Sequence, residues 1–389
     1  MKVLHLVSRY RWTGCAEPAV NLCRFLAAAG VDSRLCCVPG GSLEREAREL
    51  GTLLAPATAL GRNYTPWGIL SAARRLARYV ASEGIDLLHA HTSHDHWLAG
   101  LSTRLSASPA VPLVRTHHET RRIRTGRVWR RIFNEYTAAN VAVSLASREF
   151  LTGSGAIRPE KIRTIYGGLD FSRFRVREAA PDVRAAWGVP PEAKLVAHLS
   201  HIGPDRRQKV MLEAFSLLAE EIPRMWLIFL GQGNRDTVHH LKRRVASGSL
   251  GHRIRFSRDF AEKALPWPNQ IAAADLVAVL AVGSEGSSRG VMEAMALAKP
   301  VIGSGLGVIP ELLEEGKTGW IVDPNEPSQV AGAIRQALTD QAKSLRLGSA
   351  ASVAVRTRFR CERQAQETLE LYREIVRQAD RSLPAAGSR

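Results

Sequence analysis

Apolar runs of membrane-spanning length are missing from this 389-residue chain. No stretch approaches the roughly 18 consecutive apolar residues of a spanning helix. The opening segment MKVLHLVSRY holds a lysine and an apolar run of about five residues, whereas the apolar part of a signal peptide needs roughly 7–15. We therefore interpret this segment as a buried strand, and we expect the protein to reside in the cytoplasm.

Cysteine and aromatic residues are scarce. Aromatic residues make up 6% of the sequence, and we find no recognised nucleic-acid-binding module, so we expect no nucleic acid among the partners. The cysteines are odd in number and show no metal-ligand spacing. Small buried side chains in a reducing compartment explain them most simply. They are Cys15, Cys23, Cys36, Cys37 and Cys361.

Acidic residues are too few to balance the basic ones. Lysine and arginine number 54 against 37 for aspartate and glutamate, which gives a formal net charge of +17. Most of the cations are arginines, a preference that codon composition can impose as readily as chemistry. A surface of this charge favours anionic partners, whether phosphorylated substrates, acidic lipid headgroups or nucleic acid. The charge alone does not choose among them.

Short apolar segments alternate with helical patterns in both halves of the chain. The strand candidates are KVLHLV, SRLCCV, LLHAH, PLVRT and VAVSL in the first half, and KLVAHLS, WLIFLG, RIRFS, LVAVLA and PVIGSG in the second. Helical patterns include EPAVNLCRFLAAAG, VMLEAFSLLAEEI and RGVMEAMALA. This repeated alternation predicts an α/β fold of two Rossmann-like, doubly wound parallel-sheet domains.

The predicted domains are residues 1–175 and 176–355. The segment around their boundary is rich in charge, alanine and proline and has no clear strand period. Residues 356–380 form a helical pattern that we expect to pack back on the first domain, and residues 381–389 are predicted to be a disordered tail. Ligands of such domains bind beyond the carboxyl ends of the strands, where the strand order reverses.

Two glutamates stand eight residues apart in the segment EGSSRGVMEAMA. Glu285 falls in a loop of small residues, and Glu293 falls in the first turn, or just beyond, of a helix that is apolar on almost every side. A buried carboxylate is costly unless something hydrogen-bonds it. The hydroxyls of a ribose would satisfy Glu293, and so would the helix dipole or a neighbouring arginine. The residues themselves favour neither explanation.

A Gly-Pro turn follows the strand KLVAHLS and leads Arg206, Arg207 and Lys209 into the start of a helix. Cations beside free helix N–H groups can clamp a pyrophosphate. A solvated basic loop is the alternative. The turns FLGQGN and VIGSGLG also follow strands, but neither fits the G-x-G-x-x-G dinucleotide fingerprint.

Histidines follow two strands of the first half. His118 ends the strand PLVRT in RTHHE, where it would face a crevice, although a lone histidine is more often structural. The segment LLHAHTSHDHWLAG concentrates further candidates. A metal cluster there is disfavoured because the residues straddle a strand end and a helix start and would point apart. They are His89, His91, His94, Asp95 and His96.

Residues 115–133 concentrate positive charge. Seven arginines lie between Arg115 and Arg131, interrupted and followed by apolar residues. A basic segment with an apolar stripe can rest on anionic lipid. A solvated loop followed by an ordinary packing helix explains the pattern equally well.

Taken in order, these segments resemble the retaining family 4 glycosyltransferases of GT-B fold, over nearly the whole chain. The segment from EGSSRGVMEAMALAKPVIGSG to GKTGWIVDP is similar to the E-x7-E signature of that family and its continuation. TIYGGLDFSRF, VAVSLASREFL and WTGCAEPAVNL resemble three further family segments. The resemblance implies two domains facing across a cleft, and transfer of a sugar from a nucleotide-diphosphate sugar with retention of anomeric configuration.

The resemblance implies a donor site on the second domain. Glu293 would hold the ribose of the donor nucleotide, and Glu285 would lie nearest the donor sugar. The phosphate-binding arginine and lysine of the family fall on His201 and Arg206. Since histidine is weakly basic, the clamp could lean on Arg206, Arg207 or Lys209. Backbone beside Glu285 and a base-reading loop would complete the site, with Ser288, Arg289, Gly290, Val291 and Arg258.

The resemblance also implies roles in the first domain. His118 would contact the transferred sugar near its anomeric carbon and, with Glu285 and Arg206, forms the predicted catalytic set. The backbone of Gly14 and Cys15 would approach the pyrophosphate. Cys15 replaces a common glycine, and Gly167 replaces a common asparagine. His91 and Asp95 are candidates for contact with the acceptor.

The missing Asp-x-Asp pair and the positive net charge lead to expectations about the metal and the acceptor. No Asp-x-Asp pair occurs in the chain, so we expect neither a metal nor another cofactor. Arginines and helix N-termini would instead stabilise the leaving diphosphate. The basic surface fits a phosphorylated or lipid-linked glycan of the cell envelope, such as lipopolysaccharide, as the acceptor. Contact of residues 115–133 with acidic lipid would hold the protein at the inner face of the cytoplasmic membrane.

Alternative functions differ in how well they fit. A sugar-nucleotide epimerase or an inverting transferase of the same fold is disfavoured by E-x7-E together with RTHHE. A catalytically weak nucleotide-sugar-binding or membrane-docking protein stays open, because His201 stands where the family has arginine.

Overall fold

A computed structural model describes residues 1–12, 16–56, 60, 65–105, 111–118, 123–178, 180–203, 206–281 and 285–382. The chain divides into two compact units. The first unit comprises residues 1–168 together with the segment that begins at Cys361, and the second comprises Leu169–Arg360. Each unit contains a six-stranded parallel sheet, which confirms the predicted α/β fold of two doubly wound domains.

The first sheet has the strand order β2-β1-β3-β4-β5-β6. Its inner strands are buried on both faces, as parallel strands covered by helices must be. The order reverses between β1 and β3, so the loops after these two strands lie side by side. The strands are β1 (Lys2–Val7), β2 (Asp32–Cys37), β3 (Leu87–Ala90), β4 (Leu113–His117), β5 (Ala139–Ala142) and β6 (Ile162–Thr164).

The helices of this unit follow the strands in alternation. They are α1 (Ala16–Ala28), α2 (Ser42–Glu49), α3 (Pro66–Glu83), α4 (Ser93–Leu105), α5 (Arg127–Arg131), which continues into a π-helical turn at Ile132–Tyr136, and α6 (Leu145–Gly153). The predicted strand VAVSL is shorter than expected at its carboxyl end. β5 ends at Ala142 because Ser144 caps α6 by accepting a hydrogen bond from the N–H of Ser147.

The second sheet repeats the plan, with the order β12-β11-β10-β7-β8-β9. The reversal falls between β7 and β10, and a single apolar core covers one face of the sheet. The strands are β7 (Lys194–Leu199), β8 (Met225–Leu230), β9 (Ile254–Phe256), β10 (Leu276–Val279), β11 (Val301–Ser304) and β12 (Trp320–Val322). The helices are α7 (Val183–Trp187), α8 (Gln208–Leu218), α9 (Arg235–Ala246), α10 (Trp267–Ala272), α11 (Glu285–Ala296), α12 (Ile309–Leu312), α13 (Pro327–Thr339) and α14 (Gln341–Arg358).

The last helix, α15 (Cys361–Ser382), belongs to the first unit. Its apolar positions recur at helical spacing, and Leu369, Tyr372 and Ile375 enter a core cluster with Leu22 and Leu26 of α1. The helical pattern predicted from residue 356 is therefore two helices, since α14 ends at Arg358. Residues 383–389 lie outside the described residues. Within the described parts of the chain, no helix is both long and apolar enough to cross a bilayer.

Candidate functional site

The strand-order reversal of the second unit brings the loop after β7 beside the start of α11. Strands β8 and β9 continue from β7 on one side, whereas β11 and β12 continue from β10 on the other. A side-chain Cβ at Gly290 would lie only 3.2 Å from a methyl group of Leu199. The first turns of α11 therefore pack directly against the end of β7, at the position where doubly wound domains bind ligands.

Glu293 is buried in α11 and has two hydrogen-bond partners. Its side chain is 5% exposed. Oε1 accepts a bond of 2.8 Å from Nε of Arg289, one helical turn earlier, and Oε2 accepts a bond of 2.8 Å from the indole N–H of Trp267. The neighbouring arginine that the sequence offered as one explanation is thus present. A carboxylate has about four lone-pair sites, so these two bonds leave capacity for hydroxyl donors.

The other predicted residues of α11 are distributed over its first turns. Ser288 and Val291 are buried, and Arg289 is committed to Glu293. Glu285 opens the helix rather than lying in the preceding loop, so the two glutamates are separated by about 12 Å along the helix axis. The expected placement of Glu285 in a loop and of Glu293 in the first helical turn or just beyond is therefore wrong, while their common position at one crevice stays a prediction. The side chain of Glu285 lies outside what the structure describes.

The loop after β7 holds two of the predicted clamp residues. Partial burial, with Arg206 nearby, lowers the pKa of His201. Gln208, which supports this loop, was not singled out by any sequence pattern. Its amide donates to the hydroxyl of Ser200 and to the carbonyl of His201, at 3.1 and 3.0 Å. The lowered pKa makes His201 a weaker cation than the arginine of the family, and Arg206 is the other predicted clamp residue of this loop.

The remaining two clamp residues line a cavity that Ile202 and Gly203 of the same loop also border. Arg207 and Lys209 border a space of about 630 Å³ between the starts of α8 and α9, together with His240 and Arg244. Glu213 partly balances this charge, since its carboxylate lies 3.8 Å from the cationic groups of Lys209 and Arg244. The predicted clamp is therefore divided between the loop and this cavity.

Arg258 follows β9 and is exposed. Its guanidinium donates a bond of 2.9 Å to the carbonyl of Gly233, in the loop after β8. This bond ties together two loops at the carboxyl edge of the sheet. Arg258 thus lies at the sheet edge where a nucleotide base would bind. Its bond to Gly233 holds two loops together and involves no ligand.

In the first unit, Asp95 links the loop after β1 to the start of α4. Its carboxylate accepts bonds from the N–H of Ser8 at 3.0 and 3.1 Å and from the N–H of Thr92 at 3.1 Å. The hydroxyl of Thr92 accepts from the N–H of Asp95 at 3.3 Å, which completes a reciprocal capping box. Burial raises the pKa of Asp95. With no exposed surface, this side chain has nothing to offer an acceptor in this conformation.

The predicted histidines of the first unit form a connected network. His118 Nε2 lies 3.1 Å from His91 Nδ1, and His91 Nε2 lies 3.1 Å from His5 Nδ1. His89 stacks on His91 and bonds through Nδ1 to the hydroxyl of Tyr372 in α15. Sequence patterns did not single out His5 or Tyr372, because both occupy ordinary core positions of their elements.

Three of these histidines lie close enough to suggest a metal site. The nitrogen atoms of His5, His89 and His91 lie within 4.8 Å of one another. The rings of His91 and His89 are stacked, however, with centroids 4.2 Å apart and planes 30° from parallel. Lone pairs lie in the ring planes, so they do not converge on one point as tetrahedral coordination requires. The arrangement is that of a hydrogen-bonded network.

Residues 115–133 split into a buried part and an exposed part. Arg115 in β4 is buried and donates to the carbonyl of Ala90 at 3.3 Å. Phe133 is buried, and the ring of Trp129 packs 5.9 Å from it. Much of the apolar stripe therefore faces the core of the unit, while Val128 remains 56% exposed. Gly14 and Cys15, predicted to approach the pyrophosphate, lie outside the described residues.

Comparison with known families agrees with this architecture. Residues 13–173 match the family described as Glycosyltransferase Family 4, and residues 180–353 match the family described as Glycosyl transferases group 1. The chain belongs to the group 1 glycosyltransferases, and its activity is that of a glycosyltransferase.

Similar proteins span most of the chain. The D-inositol 3-phosphate glycosyltransferase of Nocardioides sp. is 25% identical over 351 residues, covering 82% of this chain and 74% of its own length. The N-acetyl-alpha-D-glucosaminyl L-malate synthase of Bacillus anthracis is 24% identical over 323 residues, covering 81% of each. The chain is thus related to sugar-transferring enzymes over both of its units.

Solved structures share the fold. HepE of Anabaena, in complex with UDP and glucose, superposes with a TM-score of 0.79 at 22% identity, covering 95% of this chain and 99% of that one. A glycosyltransferase from Rickettsia africae superposes with a TM-score of 0.82 at 20% identity, covering 96% and 98%. At these identities the likeness establishes a common fold.

Proposed function

We propose that this enzyme transfers a sugar from a nucleotide-diphosphate sugar to an anionic glycan acceptor, with retention of anomeric configuration. The observation that supports binding of a nucleotide-diphosphate sugar is Glu293, a buried carboxylate in α11 beside the strand-order reversal between β7 and β10. Its partners Arg289 and Trp267 hold it in place, and its remaining lone pairs suit the two hydroxyls of a ribose. The complex of HepE with UDP makes a uridine nucleotide the first donor to test.

The proposed mechanism uses positive charge and backbone dipoles. Arg206 and the free N–H groups of the first turn of α11 stabilise the negative charge that develops on the leaving diphosphate. Glu285 lies nearest the donor sugar, and His118 contacts that sugar near its anomeric carbon. No metal has a part in this proposal, because the chain lacks the Asp-x-Asp pair that bridges a metal to a sugar nucleotide.

The proposed acceptor is a phosphorylated or lipid-linked glycan of the cell envelope. The net charge of +17 supports an anionic acceptor, and two relatives are named for inositol phosphate and malate, which are both anions. Arg124, Arg127 and Arg130 are exposed. We include in the proposal a peripheral contact of these cations with acidic lipid at the inner face of the cytoplasmic membrane.

Thermal unfolding in the presence of candidate nucleotide sugars tests the proposed donor binding. A ligand at 100 times its Kd stabilises the native state by about 2.7 kcal/mol. We expect UDP-sugars, or else GDP- or ADP-sugars, to raise the Tm of the wild type, and Glu293→Gln to lose most of that rise. EDTA should leave the rise unchanged. Release of nucleoside diphosphate in the presence of an acceptor extract measures turnover.

Trp267→Phe is the matched control. It removes the indole hydrogen bond to Glu293 but leaves the carboxylate, so the free protein should unfold at a lower temperature and still respond to the donor. An equal response of Glu293→Gln and wild type would contradict the ribose role. Donor binding without turnover would favour a catalytically weak binding protein, which is the second candidate because a histidine, His201, stands where the family has arginine.

A further inference from the structure

Three hydrogen-bonded histidines form a line through the first unit. They are His118 after β4, His91 after β3 and His5 in β1, with both nitrogen–nitrogen distances at 3.1 Å. Their side chains are 5%, 3% and 0% exposed. The planes of neighbouring rings lie 24° and 22° from parallel with centroids 5.4 Å apart, which suits bonds between nitrogen atoms at the ring edges. The line therefore connects the predicted catalytic histidine to the interior of the sheet.

The proton positions along this line depend on one another. Burial lowers the pKa of His5 to about 3, and burial followed by the neighbouring histidines holds the pKa of His91 well below its ordinary value. Both rings are therefore neutral at pH 7. A neutral imidazole has one N–H donor and one bare acceptor nitrogen. The tautomer of each ring thus dictates which atom of the next ring can donate.

His5, at the buried end of the line, determines the direction in which the hydrogen bonds are donated. Nε2 of His5 is buried and has no hydrogen-bond partner among the described residues. A buried N–H without an acceptor is rarer than a buried acceptor without a donor. His5 therefore carries its proton on Nδ1 and donates to Nε2 of His91. His91 then carries its proton on Nδ1 and donates to Nε2 of His118.

We propose that His91, with His5 behind it, is a positioning residue that fixes the ring orientation and the tautomer of His118. In this arrangement His118 accepts through Nε2 and carries its proton on Nδ1, which is then its donor nitrogen. The inference rests on the proposed role of His118 beside the transferred sugar. It replaces the predicted role of His91, contact with the acceptor, by that of orienting His118.

Packing around His91 supports this role. The ring of His89 lies 4.2 Å from that of His91. His89 is itself held at both nitrogens, by the hydroxyl of Tyr372 and, at 2.7 Å, by the hydroxyl of Thr116. A stacked neighbour fixed in this way restricts rotation of His91. Orientation of a catalytic group is worth large factors in rate, and a misplacement of about 1 Å can cost on the order of 10²-fold.

Nitrogen-15 NMR of the histidine-labelled full-length protein reads the tautomers directly, since bare and protonated ring nitrogens have well-separated shifts. In the wild type we expect His118 to show a protonated Nδ1 and a bare Nε2. In His91→Phe the two tautomers should mix. In His91→Asn an amide N–H takes the place of Nδ1 of the lost ring, and the wild-type tautomer should return.

We expect kcat to fall in the variants in which the tautomer of His118 changes. We expect kcat of His91→Phe to fall on the order of 10²-fold with little change in KM for the donor, and His91→Asn to recover most of the loss. His5→Phe, which leaves the contact between His91 and His118 intact, should show a smaller loss of kcat. The matched control is His96→Phe, equally buried but bonded to Thr137 outside the line; its His118 spectrum and kcat should match the wild type.

Several outcomes would overturn the inference. A wild-type spectrum in which Nδ1 of His118 is not protonated would overturn it, and this measurement does not depend on whether the variants fold. An unchanged tautomer or an unchanged kcat in His91→Phe would also overturn it. Absence of turnover in the wild type would instead count against the proposed function, and the wild-type spectrum would still decide whether the line has the stated direction.

Discussion

Arg207 has a backbone conformation that suits glycine. Its φ of 63° and ψ of 21° are left-handed, at the residue that caps the start of α8. Such a conformation costs a residue with a Cβ roughly 1–2 kcal/mol. The side chain lines the basic cavity with Lys209, which is the kind of place where strain is retained at a functional site.

Arg207→Gly should therefore stabilise the protein. We expect the free energy of unfolding to rise by about 1 kcal/mol, because glycine adopts left-handed φ without steric cost. Urea unfolding followed by circular dichroism measures the change. Arg207→Ala is the control, since it removes the charge but keeps the Cβ. Equal stabilisation by alanine would show that charge repulsion, rather than the backbone, is responsible.

At the scale of elements, the loops after β7 and β8 touch through their backbones. Gly231 has a φ of 151°, and a Cβ there would lie 2.0 Å from the carbonyl oxygen of Ser200. Ser200 N–H donates to the carbonyl of Leu230 at 3.0 Å, which fixes the two loops together. The proposed phosphate loop is thus supported by its neighbour in the sheet.

Gly231→Ala should separate these loops. We expect a loss of about 3 kcal/mol in the free energy of unfolding, since both the positive φ and the backbone contact oppose a Cβ. Gly332→Ala in α13 is the matched control. A Cβ there meets nothing within 4 Å, so alanine should stabilise by about 0.5–1 kcal/mol. Similar effects at both positions in thermal unfolding would contradict the close approach.

At the scale of the whole molecule, buried histidines are held neutral in both units. Burial is the first cause in each case, and it lowers the pKa to about 3 for His5, His117 and His198 and well below the ordinary value for the others. They are His5, His89, His91, His96 and His117 in the first unit and His198 in the second. Unfolding exposes all of them to protonation at about pH 6.5.

Stability should therefore fall as the pH drops below about 6.5. The unfolded chain binds more protons than the native one between that value and about 3, so the free energy of unfolding decreases on acidification, by up to about 1.4 kcal/mol per pH unit for each histidine. Asp95, whose pKa is raised, opposes this in part. Urea midpoints at pH 7.5, 6.5 and 5.5 measure the slope. His96→Phe should reduce it, and an unchanged slope would contradict a neutral buried His96.

Prediction from sequence succeeded where the signal is local and long enough. The apolar runs that became β1, β7, β8 and β10 and the pattern that became α1 stand out because each element is buried on a whole face. The three-residue edge strands β6 and β12 were missed, whereas β9, equally short and also at an edge, was predicted from the alternation in RIRFS. The start of α11 was also missed, because EGSSRG lacks the apolar repeat that marks a helix.

The strand–helix alternation, the basic surface and the family can all be predicted from the amino-acid sequence, because local periodicity and ordered segments are visible along the chain. The partners of the polar residues become visible only in the folded protein. Trp267 meets Glu293, Ser8 meets Asp95, and Tyr372 of the last helix meets His89 near the first unit's sheet centre. These contacts join residues distant in sequence, and hydrogen bonds between buried groups depend on how the elements pack rather than on any pattern within one of them.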